Sequence, residues 1–119
     1  MNTKGEATLL RIFISSTDKF KHASLSESIV LQAKEHGLAG ATISKCIMGF
    51  GASSIVHSYK FWETSEKIPV VVEIIDEDSK VLAFYEVIRP FLESMHYGCL
   101  VTTEKVNVML YKSGDKKII

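Results

Sequence analysis

Hydrophobic and polar residues alternate along three stretches of the chain and recur at three-to-four spacing along two others. In Thr8 to Ile14 (TLLRIFI), Leu10, Ile12 and Ile14 share one side and Leu9, Arg11 and Phe13 the other, which predicts a strand. The polar run Ser15 to Ser24 follows. Ser24 stands three residues before Glu27, the spacing of a capping box, and Leu25, Ile29 and Ala33 fall on one helical side. Gly37 ends that helix as a left-handed residue after the cap. Ala41 to Ile47 reads as a second strand with weaker alternation. Val70 to Ile75 is a β-branched run broken only by Glu73, the clearest strand pattern of all. Asp76 or Asp78 can cap a second helix, on which Val81, Tyr85, Ile88, Leu92 and Met95 line up. Pro90 lies inside this pattern, lacks an amide hydrogen, and predicts a kink or a split. Lys105 to Tyr111 (KVNVMLY) alternates once more and predicts the last strand.

The resulting order, β-α-β-β-α-β, predicts an α+β fold of the ferredoxin-like, split βαβ type. Four antiparallel strands form one sheet, with two helices on one face, in a single domain over residues 1–119. About twenty residues separate the second and third strands, several times the usual hairpin connection. A loop of that length in a compact domain is either disordered or the working part. The pattern has a second consequence. With helices on one sheet face, the other should be polar in a monomer, yet the first strand offers only Arg11 there and the third only Glu73. Burying that face against other copies resolves the conflict, so a homo-oligomer is expected.

Composition narrows the function classes. The 119 residues are 46% apolar, and fourteen basic side chains balance fourteen acidic ones. No overall field attracts DNA, RNA or an anionic membrane, so nucleic acid is not expected as a partner. No run reaches the length of a membrane helix, and the polar start MNTKGEAT is not a signal peptide, which places the expected compartment in the cytoplasm. Cys46 and Cys99 form neither a CxxC pair nor a disulfide framework.

The candidate chemistry lies around the long loop. Gly49, Phe50 and Gly51 let the backbone turn out of the sheet and approach a ligand without Cβ clashes. Ser53 and Ser54 add hydroxyls and a run of amides able to form an anion nest. The competing reading makes this turn a strand-end bulge with Phe50 packed in the core. His57 shares one side of an extended arm with Ile55, Tyr59 and Phe61, and either packs there or acts as a ligand. Tyr59, Phe61 and Trp62 suit an oligomer interface or a stacked base. Glu73 either pairs with Arg11 or faces a cleft between subunits. Asp76, Glu77 and Asp78 are explained by the negative charge that a helix N-terminus favours. Met95, His96 and Cys99, with Cys46, Met48 and His57, are soft ligands suited to copper(I) or zinc, but at no closed tetrahedral spacing. No catalytic triad spacing and no P-loop is visible, so an enzyme is not expected.

GLAGATIS, the Gly-Phe-Gly turn, the long loop and an aliphatic strand ending in Asp76 together resemble the PII-like signalling superfamily. The chain is most similar to its uncharacterised branch, with the patterns ATVxRGxxGFGASSxxH and LPVVxEIVD. Gly40, Ala41, Thr42, Gly49 to Ser54, His57, Pro69, Glu73 and Asp76 stand where those patterns place them. Asp18 and Lys19 fit its early loop. The resemblance implies a homotrimer with a triangular core of sheets and a small effector, nucleotide or metabolite, in the clefts between subunits. It implies further that the 51–67 loop switches contact with a partner such as a membrane transporter or channel. Gly49, Phe50, Gly51, Ser53, Ser54, His57 and Glu73 are the expected ligand-binding residues, and no cofactor is named. The turn HYGCLVTT carries a single glycine, Gly98, and the last strand carries Lys105 but no arginine, unlike nucleotide-binding PII proteins. The alternative implied by related sheets is a divalent-metal-binding protein of the cation-tolerance type.

Overall fold

The computed structural model describes residues 5–50, 57–58 and 68–115. Four long strands form one antiparallel sheet: β1 (Gly5–Ser15), β4 (Ala41–Lys45), β7 (Pro69–Asp76) and β8 (Leu100–Val108), in the spatial order β4-β7-β1-β8. Two short hairpins interrupt this plan. β2 (Lys19–Phe20) pairs with β3 (Ala23–Ser24) in the early loop, and β5 (Met48–Gly49) pairs with β6 (His57–Ser58). The expected ferredoxin-like α+β arrangement is the one observed.

The first helix, α1 (Leu25–Glu35), is bounded as its sequence dictates. The Ser24 hydroxyl accepts the Glu27 amide at 3.5 Å, and Leu25, Ile29 and Ala33 are buried. At the other end the Gly37 amide donates to the Lys34 carbonyl and the Leu38 amide to that of Ala33. This is a Schellman closure, and it requires the positive φ of +78° at Gly37.

The second helix, α2 (Asp78–Ser94), departs from expectation in three ways. Its N-cap is Glu77, without a side-chain capping bond, rather than Asp76 or Asp78. Both aspartates are engaged elsewhere, as described below. Phe84, not Tyr85, is the fully buried member of the apolar stripe, beside Val81, Ile88 and Leu92. In place of the split, one of two outcomes expected at Pro90, the helix is continuous there, with Ile88 and Leu92 on either side held in the core. The last strand is the remaining correction. It spans Leu100–Val108 rather than Lys105 to Tyr111, pairing with Phe13 to Gly5 on β1.

One core joins the helices to the sheet. Leu10, Ile12 and Ile14 of β1, Val70, Val72 and Ile74 of β7 and the stripes of both helices form it. Each fully buried aliphatic or aromatic side chain there contributes roughly 1.5–3 kcal/mol of transfer free energy. The opposite face carries no helix. There Phe13, Ile75 and Leu100 keep 37%, 38% and 56% exposure.

Candidate functional site

Register places a polar row across the helix-free face. Thr42 of β4 pairs with Glu73 of β7, Glu73 with Arg11 of β1, and Arg11 with Thr102 of β8. The Arg11 Nε donates to Glu73 Oε2 at 3.0 Å, and its Nη1 donates to Glu104. Arg11 therefore sits between two carboxylates, which hold its guanidinium even more firmly protonated than usual. The expected pairing of Glu73 with Arg11 is present.

Next to this row lies a cavity of about 390 Å³. Its floor is Leu9, Thr42, Glu73 and Ile75, and the turn Ala39–Ala41 closes one side. Beyond β8 the chain crosses over this floor, so that Val108, Leu110 and Tyr111 form the opposite wall. The Tyr111 hydroxyl reaches the Ala39 carbonyl at 3.5 Å, bridging from the β8 edge of the sheet to the β4 edge. The volume falls in the range of small-molecule sites, and a mostly apolar lining with a few convergent polar groups is their usual chemistry.

The turn beside this cavity is fixed from beneath. Asp76 is fully buried, and its carboxylate accepts the Ala39 amide at 2.8 Å and the Glu77 amide at 2.7 Å. One side chain thus ties the start of β4 to the start of α2. Asp78 points back to the sheet, where it accepts the Thr8 hydroxyl at 2.6 Å and the Lys105 ammonium at 3.0 Å. These donors, Thr8 first, lower its pKa.

At the other end of the sheet Asp18 is buried and accepts the Ser15 amide at 3.0 Å. Burial pushes its pKa up, opposed in part by that bond. Burial also raises the Cys99 thiol pKa, and the Asp18 charge adds to the effect.

The expected site residues divide into three groups. Glu73 lines the cavity. Gly49 is remote from that lining, in the β5–β6 hairpin opposite His57, and a Cβ on it would meet Pro69 Cγ at 3.3 Å. Phe50 is 70% exposed in the single chain, so it is not packed in the core. Gly51, Ser53, Ser54 and the His57 side chain lie outside the described residues, as do Tyr59, Phe61 and Trp62. Thr42, Tyr111 and Asp18 were not among the expected residues. Thr42 becomes a candidate only when its register with Glu73 is known, and Tyr111 only when the chain is seen to cross the sheet. Met95 packs against the core, and among the described residues no group of three or more His, Cys, Asp or Glu is placed to hold a metal ion. No described helix is long and apolar enough to cross a membrane.

A family model covers residues 7–108, nearly the whole described domain. The chain belongs to the DUF190 family (Uncharacterized ACR, COG1993). A UPF0166 protein of Aquifex aeolicus is 39% identical over 101 residues, covering 85% of this chain and 91% of the relative. UPF0166 protein MJ1524 of Methanocaldococcus jannaschii is 31% identical over 88 residues, covering 71% and 81%. In fold the chain is similar to CPII, a nitrogen regulatory PII-like protein from Thiomonas intermedia K12, solved bound to ADP, AMP and bicarbonate. That match has a TM-score of 0.66 at 16% identity and covers 88% of this chain and 90% of CPII. The DUF190 chain thus has the architecture of PII-like proteins.

Proposed function

We propose that this DUF190 protein is a PII-like regulatory protein that assembles as a homotrimer and binds a small effector, nucleotide or metabolite, in clefts between its subunits. The observation that carries the reading is the cavity on the helix-free sheet face, with Thr42 and Glu73 on its floor. Assembly follows from the same face. Phe13 and Leu100, which do not line the cavity, are 37% and 56% exposed, and covering them with a second copy gains about 1 kcal/mol apiece. The fold shared with CPII, which binds ADP, AMP and bicarbonate, supports an effector of that size. The protein then works by binding, without a catalytic step.

Occupancy of the cleft shifts the 51–67 loop between two states, with Gly49, Phe50, Gly51, Ser53, Ser54 and His57 at or near its base. The loop in turn engages or releases a partner such as a membrane transporter or channel. Such a switch requires differential affinity; moving it from one side almost fully to the other takes about 5.5 kcal/mol between states. The test is sedimentation of the full chain with and without ADP, AMP and a metabolite panel, combined with limited proteolysis. A trimer whose 51–67 loop gains ligand-dependent protection supports the reading. A monomer at micromolar concentration, with or without ligands, sinks it.

A further inference from the structure

The cavity wall is electrostatically one-sided. Glu73 lines it, and among the described residues no lysine, arginine or histidine does. Among the described residues at that end of the sheet, Lys80 donates to the Gly37 carbonyl at 2.7 Å and Lys105 pairs with Asp78 at 3.0 Å, both on the helix side. Lys112, next to Tyr111, is exposed and outside the lining. Arg11 does not neutralise the wall either, because its single positive charge is shared between Glu73 and Glu104. The Arg11–Glu73–Glu104 cluster therefore carries one net negative charge. Arg11 takes Glu73 Oε2, and Oε1 accepts no hydrogen bond from the described residues. Its neighbour in register, Thr42, also lines the cavity and carries a hydroxyl. The rest of the lining is largely aliphatic: Leu9, Ala41, Ile75, Val108 and Leu110.

A phosphate placed here would meet a carboxylate and no charge-assisted donor. An ammonium or amidinium would find the opposite, a carboxylate oxygen that no described residue bonds and a hydroxyl in the same lining, with aliphatic walls for its carbon body. We propose that this cavity binds a phosphate-free organic cation, its nitrogen donating to Glu73 Oε1 and the Thr42 hydroxyl and its apolar body packed between Ile75 and Leu110. The inference rests on the effector-binding reading above and specifies the effector's chemistry.

The probe is phenethylamine, compared with phenylpropionate, which has a similar apolar body and the opposite charge, and with ADP. Each is titrated into the full-length protein and followed by calorimetry and by amide NMR shifts at Thr42, Ile75 and Val108. The expected result is saturable shifts at these amides with phenethylamine, at an affinity at least about tenfold above phenylpropionate. Glu73→Gln removes that preference, and Thr42→Val weakens amine binding without restoring the anion. Equal or tighter binding of phenylpropionate at these amides overturns the proposal, as does an amine preference that survives Glu73→Gln. Absence of any saturable amine shift overturns it too. If ADP shifts these amides and the amine does not, this inference fails while the effector-binding reading stands.

Discussion

Arg11 on β1 and Glu73 on β7 are register partners whose side chains bond at 3.0 Å on the face that no helix covers. Both side chains are more than a third exposed in the single chain, so water and salt screen the pair. A double-mutant cycle with Arg11→Ala and Glu73→Ala measures their coupling by chemical denaturation. The coupling is expected to be favourable and to fall by more than about half from low salt to 0.5 M salt. Glu73→Ala alone is expected to cost less than Arg11→Ala alone. Losing the arginine leaves the carboxylates of Glu73 and Glu104 both without their shared cation, whereas losing Glu73 leaves Arg11 still paired with Glu104.

Asp76 makes the opposite kind of interaction, buried and fully used. Its two oxygens each accept one backbone amide, from Ala39 and from Glu77. Asp76→Asn keeps one acceptor but turns an NH2 group toward the other amide, leaving a buried donor facing a donor. Such a mismatch costs about 1–3 kcal/mol. Urea denaturation should show that loss, and hydrogen exchange at the Ala39 amide should accelerate beyond what global destabilisation explains. Unchanged protection at Ala39 would remove Asp76 as the tie beneath the cavity.

Much of this architecture was legible because two periodicities dominate the chain. Leu10, Ile12 and Ile14 alternate cleanly, and Ser24, Glu27 and Gly37 mark both ends of α1 by local chemistry alone. What was not legible depended on tertiary partners. Phe84 and Tyr85 are adjacent and both fit a three-to-four repeat from Val81, so only packing selects Phe84. The alternation of KVNVMLY continues past Val108, but the strand does not: from residue 109 the chain crosses toward Ala39, which the Tyr111 hydroxyl reaches. Asp76 reads as a helix cap in sequence, and the Ala39 amide, distant along the chain, claims it instead. The cavity needs both the register of Thr42 with Glu73 and the return of Tyr111 across the sheet. Neither leaves a mark on local pattern.

Asp18 provides a pH signature. Its pKa is raised chiefly by burial, so the native state binds a proton there more readily than the unfolded chain does. The sign follows directly. Its contribution to stability is greatest in acid and declines as pH rises from the ordinary carboxylate range through the higher native value. Asp18→Asn removes the titration while retaining an acceptor for the Ser15 amide. Relative to the parent chain, the variant should therefore be more favourable at pH 7 than at pH 4. Thermal denaturation at both values checks this, and a difference of the reverse sign would contradict the burial argument.

Pro90 offers the sharpest backbone test, because α2 carries it in its interior on an exposed position. A proline there cannot donate to the Glu86 carbonyl, and its ring crowds that same turn. Relative to alanine the helix-interior cost is about 3 kcal/mol, against which proline recovers about 0.4–1 kcal/mol by restricting the unfolded chain. Pro90→Ala restores the missing amide, and exposure means little packing is lost with the ring. Stability should rise by about 2 kcal/mol in urea denaturation, with an unchanged slope showing that the surface buried on folding is the same. A loss of stability would mean that the ring makes contacts on which α2 depends, and that Ile88 and Leu92 alone do not hold the helix through this turn.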